Sequence, residues 1–229
     1  MKMDYPLVQY EAINQYEKAA YGDVKQYPSL ELVRLEKWFF KSKKEGKLLE
    51  YAFGSGCNTI HLQKCGYKIF GLDVSSSWVL KTKKRVNKIK SAFKPKLFYL
   101  KPNSKKLPFK SNTFDFIVAM SILSLLGSEK KVKNLLKEFK RVLKPSGKII
   151  LDVNDQASDF SGKHNKIGKN IYKAKPIDGF IKTYCLKTPK DFENIVKKFF
   201  KVEDVGFSSH KVVGRTITEF IICASKKRK

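Results

Sequence analysis

The stretch Leu48-Leu-Glu-Tyr-Ala-Phe-Gly-Ser-Gly-Cys-Asn58 decides the fold. An apolar run ends in a turn of small residues, and the segment that follows, to about Cys65, has a helical pattern closed by Gly66 as its C′ residue. Gly54 and Gly56 let the backbone approach a ligand closely, and the start of the helix offers free N–H groups and a positive dipole end. Glu50 brings a carboxylate to the end of the strand. A second acid, Asp73, closes the next predicted strand, residues 67–73, 23 residues beyond Glu50.

Working outward, the chain alternates strands and helices. Predicted strands cover residues 47–52, 67–73, 96–101, 114–120 and 148–153. Ser75-Ser-Ser77 caps a basic helix through Lys90. Ser128 caps a helix to Lys144, which carries Val132, Leu135, Leu136, Phe139, Val142 and Leu143 on one stripe and lysines on the other side. Pro145-Ser-Gly147 stops that helix. Strands separated by helices at this spacing predict parallel pairing with right-handed crossovers. After a helix over residues 191–200, strands at 202–207 and 216–225 predict a closing hairpin, with His210 and Arg215 in its loop. The expected fold is α/β: a doubly wound, Rossmann-like seven-stranded sheet, mostly parallel, with a C-terminal antiparallel hairpin. Residues 1–45 form an N-terminal helical cap, in which Ser29 caps a helix over residues 30–40, and residues 46–229 form the main domain. Trp38, Phe39 and Trp78 are read as core or lid packing, and Asp115 and Arg141 as structural.

Of 48 basic residues only five are Arg, against 21 acids, for a net charge of +27. Phosphate and base recognition commonly leans on the planar fork of Arg, so a lysine excess this one-sided reads first as solubility and weak anion attraction. No apolar run reaches the roughly 18–20 residues of a spanning helix. The N-terminus lacks a signal-like apolar core, and a cytoplasmic location is expected. Cys57, Cys65, Cys185 and Cys223 are scattered, with no C-x-x-C pair and no His read at ligand spacing, so reduced thiols and no metal site are expected.

An acid about 20 residues past a glycine turn is where a ribose diol is gripped in dinucleotide-type sites. With the later segments, the chain resembles a class I S-adenosylmethionine-dependent methyltransferase of the group acting mainly on small molecules. The matching motifs are Glu50-Tyr-Ala52-Phe-Gly54-Ser-Gly56, Gly71-Leu-Asp73-Val-Ser, Asn103-Ser-Lys-Lys-Leu-Pro-Phe109, Asn112-Thr-Phe-Asp115-Phe-Ile-Val and Phe139-Lys-Arg-Val-Leu-Lys-Pro-Ser-Gly147. They span residues 30–155 together with the hairpin.

The resemblance implies S-adenosylmethionine as cofactor and S-adenosylhomocysteine as product. Glu50, Ala52, Gly54, Ser55 and Gly56 would surround the methionine end. Asp73 would accept both ribose hydroxyls, Val74 would pack on the adenine, and Asn103 with Ser104 would meet the adenine amino group. Ala119 and Ser121, ending the fourth strand, would lie beside the sulfonium. Two departures stand out: Ala52 replaces the first glycine of the motif, and Asn103 replaces an acid.

The family has no universal catalytic residue. Asn-Pro-Pro-Tyr, which would mark methylation of adenine or glutamine nitrogen, is absent; Ala119-Met-Ser-Ile-Leu-Ser stands in its place. The acceptor is then set by the variable parts, the tyrosine-rich N-terminus and the insertion at about 155–185. Candidate general bases are His164, His210 and Tyr184, and Lys175, Lys182 and Arg215 could hold an anionic group. The expected reaction is methyl transfer to O or N of a small-molecule acceptor, for which an anionic molecule is one option. The alternatives are an RNA methyltransferase using the basic surface, or a non-catalytic cofactor-binding module.

Overall fold

Strand β1 (Lys47–Tyr51) is flanked in the sheet by β2 (Lys68–Asp73) on one side and β4 (Phe114–Ala119) on the other, both parallel to it. The computed structural model describes residues 7–8, 13–19, 26–41, 46–102, 104–161, 165–174, 180–212 and 214–227. Asn103, His164 and Lys175 lie outside the described residues.

The seven-stranded sheet has the order β3-β2-β1-β4-β5-β10-β9, where β3 is Lys96–Tyr99, β5 Leu143–Asn154, β9 Lys201–Val212 and β10 Arg215–Ser225. The β2–β3 and β4–β5 pairs are parallel, and β10 runs antiparallel to both β5 and β9. Strand order reverses between β1 and β4, the point at which sheets of this kind hold ligands outside the carboxyl ends of their strands.

Helices cover both faces, so the strands are apolar on alternate residues toward two different cores. Leu49 and Tyr51 of β1, with Ile117 and Ala119 of β4, join one core. It takes Val132, Leu135, Leu136, Phe139 and Val142 from helix α5 (Glu129–Val142). Leu48, Phe116 and Val118 face the other core, with Phe40, Leu62 and Tyr67. The lysine-bearing side of α5 faces outward, as its stripe predicts.

Helix caps read in the sequence form as expected. Ser29 accepts from the Leu32 amide at the start of α2 (Leu30–Leu35), Ser75 from Trp78 at α4 (Ser76–Asn87), and Ser128 from Lys131 at α5. Asp115 holds the strand and helix ends together, accepting from the Lys47 amide at 3.0 Å and the Lys144 ammonium at 2.8 Å. Arg141 pins the loop before β4. It donates to the Phe109 carbonyl at 2.7 Å and the Leu107 carbonyl at 2.9 Å, and pairs with Glu138 at 2.7 Å. Glu138 in turn accepts from the Leu107 amide at 2.8 Å. Arg141→Ala should therefore destabilise the fold by about 2 kcal/mol, since two carbonyls and a mostly buried carboxylate each lose a charged donor. Urea unfolding measures this, and a loss below about 0.5 kcal/mol, the range of an ordinary surface substitution, would show that the network is only decorative.

Three readings need correction. The hairpin strands are longer than predicted, and His210 stands within β9 opposite Ile217 while Arg215 begins β10. The polar run Ser208-Ser-His-Lys looked like a loop, but cross-strand pairing carries the ladder through it. The 155–185 insertion has secondary structure of its own, a separate antiparallel sheet of β6 (Lys166–Gly168), β7 (Ile171–Ala174) and β8 (Ile181–Tyr184). Trp38 is 70% exposed, because α2 continues into a π-helical turn (Glu36–Phe40) that buries Glu36 and Phe40 and turns Trp38 outward. Finally, Cys65 does have a histidine at ligand spacing, since His61 lies one helical turn before it at the end of α3 (Cys57–Lys64). All four cysteines are free thiols, and among the described residues no helix is long and apolar enough to cross a membrane.

Candidate active site

The crevice outside β1 and β2 is built on the glycine turn. Ala52 holds φ 60°, Gly54 φ 48° and Gly56 φ 79°, so the turn needs three left-handed residues within five positions. At Gly56 a Cβ would sit 2.3 Å from Cγ2 of Thr82, which makes glycine necessary there on space as well as on backbone angle. Ala52 takes the same conformation at a cost of about 1 kcal/mol, a strain located where the family motif has glycine.

The turn is tied down on three sides. The Gly54 amide donates to Oδ2 of Asp73 at 2.8 Å, the Gly54 carbonyl accepts from the Thr82 hydroxyl at 2.7 Å, and Arg85 donates to the Ser55 carbonyl. Asp73 also accepts from the Ser75 amide at 2.9 Å. Its carboxylate therefore bridges the turn after β1 and the cap of α4. Glu50 is 2% exposed and accepts from the Thr59 hydroxyl at 2.5 Å, beneath the turn. Burial raises both acids. Glu50 is pushed up to about 8, against the Thr59 hydrogen bond and with the charge of Asp73 adding to the shift. Asp73 is pushed up to about 6 by burial, with the amides of Ser75 and Gly54 opposing.

Two further parts were not legible in the sequence. Leu7 and Val8 are fully buried in the crevice. With Tyr51, Ala52, Asp73, Val74 and Ile122 they leave a cavity of only about 20 Å³. The Tyr51 hydroxyl donates to the Leu7 carbonyl at 2.6 Å. Glu17 of helix α1 (Ile13–Ala19) sits on the N-terminus of α4, accepting from the Ser76 and Ser77 amides at 2.5 and 3.1 Å. The only signal for either was an acid and two apolar residues in a tyrosine-rich segment, and nothing local ties those to a partner 40–60 residues away.

Next to the crevice lies a larger, polar pocket of about 640 Å³. Ser121 at the end of β4, Asn154, Ser209, His210 and Glu219 line it, with Glu31 and Arg34 of α2. Ser121 holds φ 58°, and its amide donates to Oδ1 of Asp152 at 2.6 Å, so its position is fixed by the neighbouring strand. Ser208 donates to Glu31 at 2.7 Å, closing α2 over the end of β9.

The predicted site residues thus divide. Ala52, Asp73 and Val74 line the crevice, with Gly54, Ser55 and Gly56 in its turn and Glu50 below. Ser121 and His210 share the polar pocket. Ala119 is wholly buried in the core. Ser104 follows β3, its amide donating to the Lys101 carbonyl at 3.0 Å. Tyr184 is packed in the core with its hydroxyl toward Glu129 at 3.4 Å, and lines neither cavity. Lys182 is exposed on β8.

Residues 49–151, a little under half of the chain, match the family model of a methyltransferase domain. Over 130 residues the chain is 32% identical to an uncharacterized protein of Haemophilus influenzae, covering 56% of this chain and 49% of that one. It is 31% identical over 109 residues to the ubiquinone/menaquinone biosynthesis C-methyltransferase of Wigglesworthia glossinidia brevipalpis, covering 46% and 41%. The chain spans about half the length of the curated relatives it matches. Solved structures share the fold. A methyltransferase from Methanosarcina mazei superposes with TM-score 0.71 at 20% identity, over 82% of this chain and 95% of that one. The N-methyltransferase NodS from Bradyrhizobium japonicum, in complex with S-adenosyl-L-homocysteine, gives 0.67 at 12% identity, over 95% and 99%.

The cofactor of class I methyltransferase domains is S-adenosylmethionine, and the residues present fit it. A Cβ at Gly54 would meet nothing within 4 Å, so the turn presents bare backbone to open space. Asp73 spends one N–H bond on each carboxylate oxygen, and a carboxylate has about four acceptor sites, enough for a diol as well.

Proposed function

We propose that the protein transfers the methyl group of S-adenosylmethionine to an oxygen or nitrogen of a small polar molecule held in the 640 Å³ pocket. The observation that carries this reading is a continuity of backbone. Ser121 lines the acceptor pocket and the next residue, Ile122, lines the cofactor crevice, so both cavities border the segment that follows β4. Bound there, the cofactor supplies an activated methyl on a sulfonium.

The chain's own residues then do three things. Asp73 and the glycine turn orient the nucleoside and methionine ends. Leu7 and Val8 move from beside Val74 to admit it, and their apolar surface excludes water once the site is filled. Arg34, Glu31, Asn154 and Glu219 offer both charges and both hydrogen-bonding senses to an acceptor, which suits a polar, mixed-charge molecule more than a purely anionic one. Positioning accounts for most of an in-line transfer, and a base is needed where the acceptor keeps a proton. His210 brings an imidazole to the wall of this pocket and is the candidate for that base.

The test is a panel of small hydroxy and amino compounds incubated with S-adenosylmethionine, read as S-adenosylhomocysteine released and methyl gained by the acceptor. Turnover on a panel compound supports the proposal; turnover only with RNA, or none with any acceptor while cofactor binds, contradicts it. With a working acceptor, His210→Gln should lower kcat about 100-fold near neutral pH with cofactor affinity unchanged. An unchanged kcat would remove His210 from the reaction.

A further inference from the structure

At the opposite end of α3 from the glycine turn, three donors of different chemistry converge. A carboxylate oxygen of Glu36, a ring nitrogen of His61 and Sγ of Cys65 all lie within 4.8 Å of one another. Nε2 of His61 is 3.7 Å from Sγ of Cys65. A tetrahedral zinc ion, with Zn–S about 2.3 Å and Zn–N about 2.0–2.1 Å, would hold its sulfur and nitrogen about 3.6 Å apart. The side chains are thus already spaced for an ion between them.

Local structure makes the arrangement. His61 and Cys65 share one face of α3 through their i, i+4 spacing. Glu36 opens the π-helical turn after α2 and is 4% exposed, where such turns often mark functional positions. The Tyr67 hydroxyl donates to Oε1 of Glu36 at 2.8 Å, the kind of outer contact that orients a ligating carboxylate. Among the described residues no lysine or arginine pairs with Glu36, and a buried carboxylate without a counter-charge is costly.

We propose that Glu36, His61 and Cys65 bind one divalent transition-metal ion, zinc by the mixed O, N and S donor set, which fastens the α2 segment of the N-terminal cap to helix α3. Binding replaces the Cys65 thiol proton, which is released to solvent, and leaves a fourth position for water. The ion is structural in this role. The inference does not depend on the identity of the methyl acceptor or on cofactor binding.

The test uses full-length protein free of any polyhistidine tag, stripped with chelator and confirmed folded by circular dichroism, then titrated with cobalt(II) and zinc(II). One cobalt per chain is expected, with a thiolate-to-cobalt charge-transfer band and intense tetrahedral ligand-field bands that zinc abolishes. The charge-transfer band should vanish in Cys65→Ser, and Glu36→Gln should weaken cobalt at least about tenfold. Zinc should also protect Cys65 in the wild-type protein from alkylation, mapped by mass spectrometry, a readout that needs no variant to fold. The proposal is overturned if saturating cobalt gives no thiolate band, if the band persists in Cys65→Ser, or if zinc leaves Cys65 alkylation unchanged. Those results would leave the cluster as a set of hydrogen bonds between side chains.

Discussion

Asp73→Ala is expected to weaken S-adenosylhomocysteine binding by at least about 100-fold. Two charge-assisted hydrogen bonds to a ribose diol are each worth roughly 1.5–3 kcal/mol, so even the low estimate removes about 3 kcal/mol. The same substitution releases the Gly54 and Ser75 amides that Asp73 now holds, which loosens the turn the cofactor must meet. Asp73→Asn separates the two effects, because it keeps an acceptor for one amide and loses the charge. Calorimetry should rank wild type well above Asn and Asn above Ala. An affinity for the Ala variant within about threefold of wild type would mean that the ribose is held elsewhere.

The second large effect is on stability against pH and centres on Glu50. Its folded pKa, about 8, lies above the ordinary carboxylate value because the group is buried. The folded state therefore binds more protons than the unfolded state between about pH 4.5 and 8. Stability then falls as pH rises through that window, the reverse of a salt-bridged carboxylate, by on the order of 5 kcal/mol if the whole shift is expressed. Asp73, raised to about 6, adds a smaller loss in the same direction at lower pH. Glu50→Gln keeps an acceptor for Thr59 and cannot ionise. Urea midpoints should fall between about pH 5 and pH 9 for the wild type and fall much less for the variant, which becomes the more stable of the two at high pH. Equal slopes for both proteins would show that Glu50 is ionised at no such cost. A cationic cofactor end near Glu50 would favour the carboxylate, so binding near neutral pH should release a proton into the buffer.

The parts of this molecule that were readable from the sequence are those specified locally. Gly54 and Gly56 mark a left-handed turn because both hold a positive φ, and at Gly56 a Cβ would also run into Thr82. Ser29, Ser75 and Ser128 cap helices through their own next turn. The stripe of α5 places its core face without reference to any partner. Asp115 and Arg141 were legible as structural because each stands at the end of an element whose loose groups it could satisfy.

What was hidden depends on residues distant in the chain. The polar ladder around His210 is a strand only because β10 lies beside it, and its composition alone reads as a loop. Leu7 and Val8 are a short apolar pair whose burial requires the crevice of β1 and β2 to exist first. Trp38 faces solvent because of one π-helical turn, a change in hydrogen-bond register that shifts the face by part of a residue step. That same turn brings Glu36 to His61 and Cys65; the expected helix already held the His61-x-x-x-Cys65 spacing, but Glu36, 25 residues earlier, joins it only through packing. The 640 Å³ pocket draws its walls from several elements distant in the chain, so no single motif could announce it.

The most direct test of the central claim is a crystal structure of the protein with S-adenosylhomocysteine. The ribose is expected on Asp73, the adenine against Val74, Leu7 and Val8 shifted from the 20 Å³ cavity they now enclose, and the sulfur facing the pocket of Ser121 and His210. Ligand bound away from the glycine turn, with Leu7 and Val8 still in place beside Val74, would contradict it.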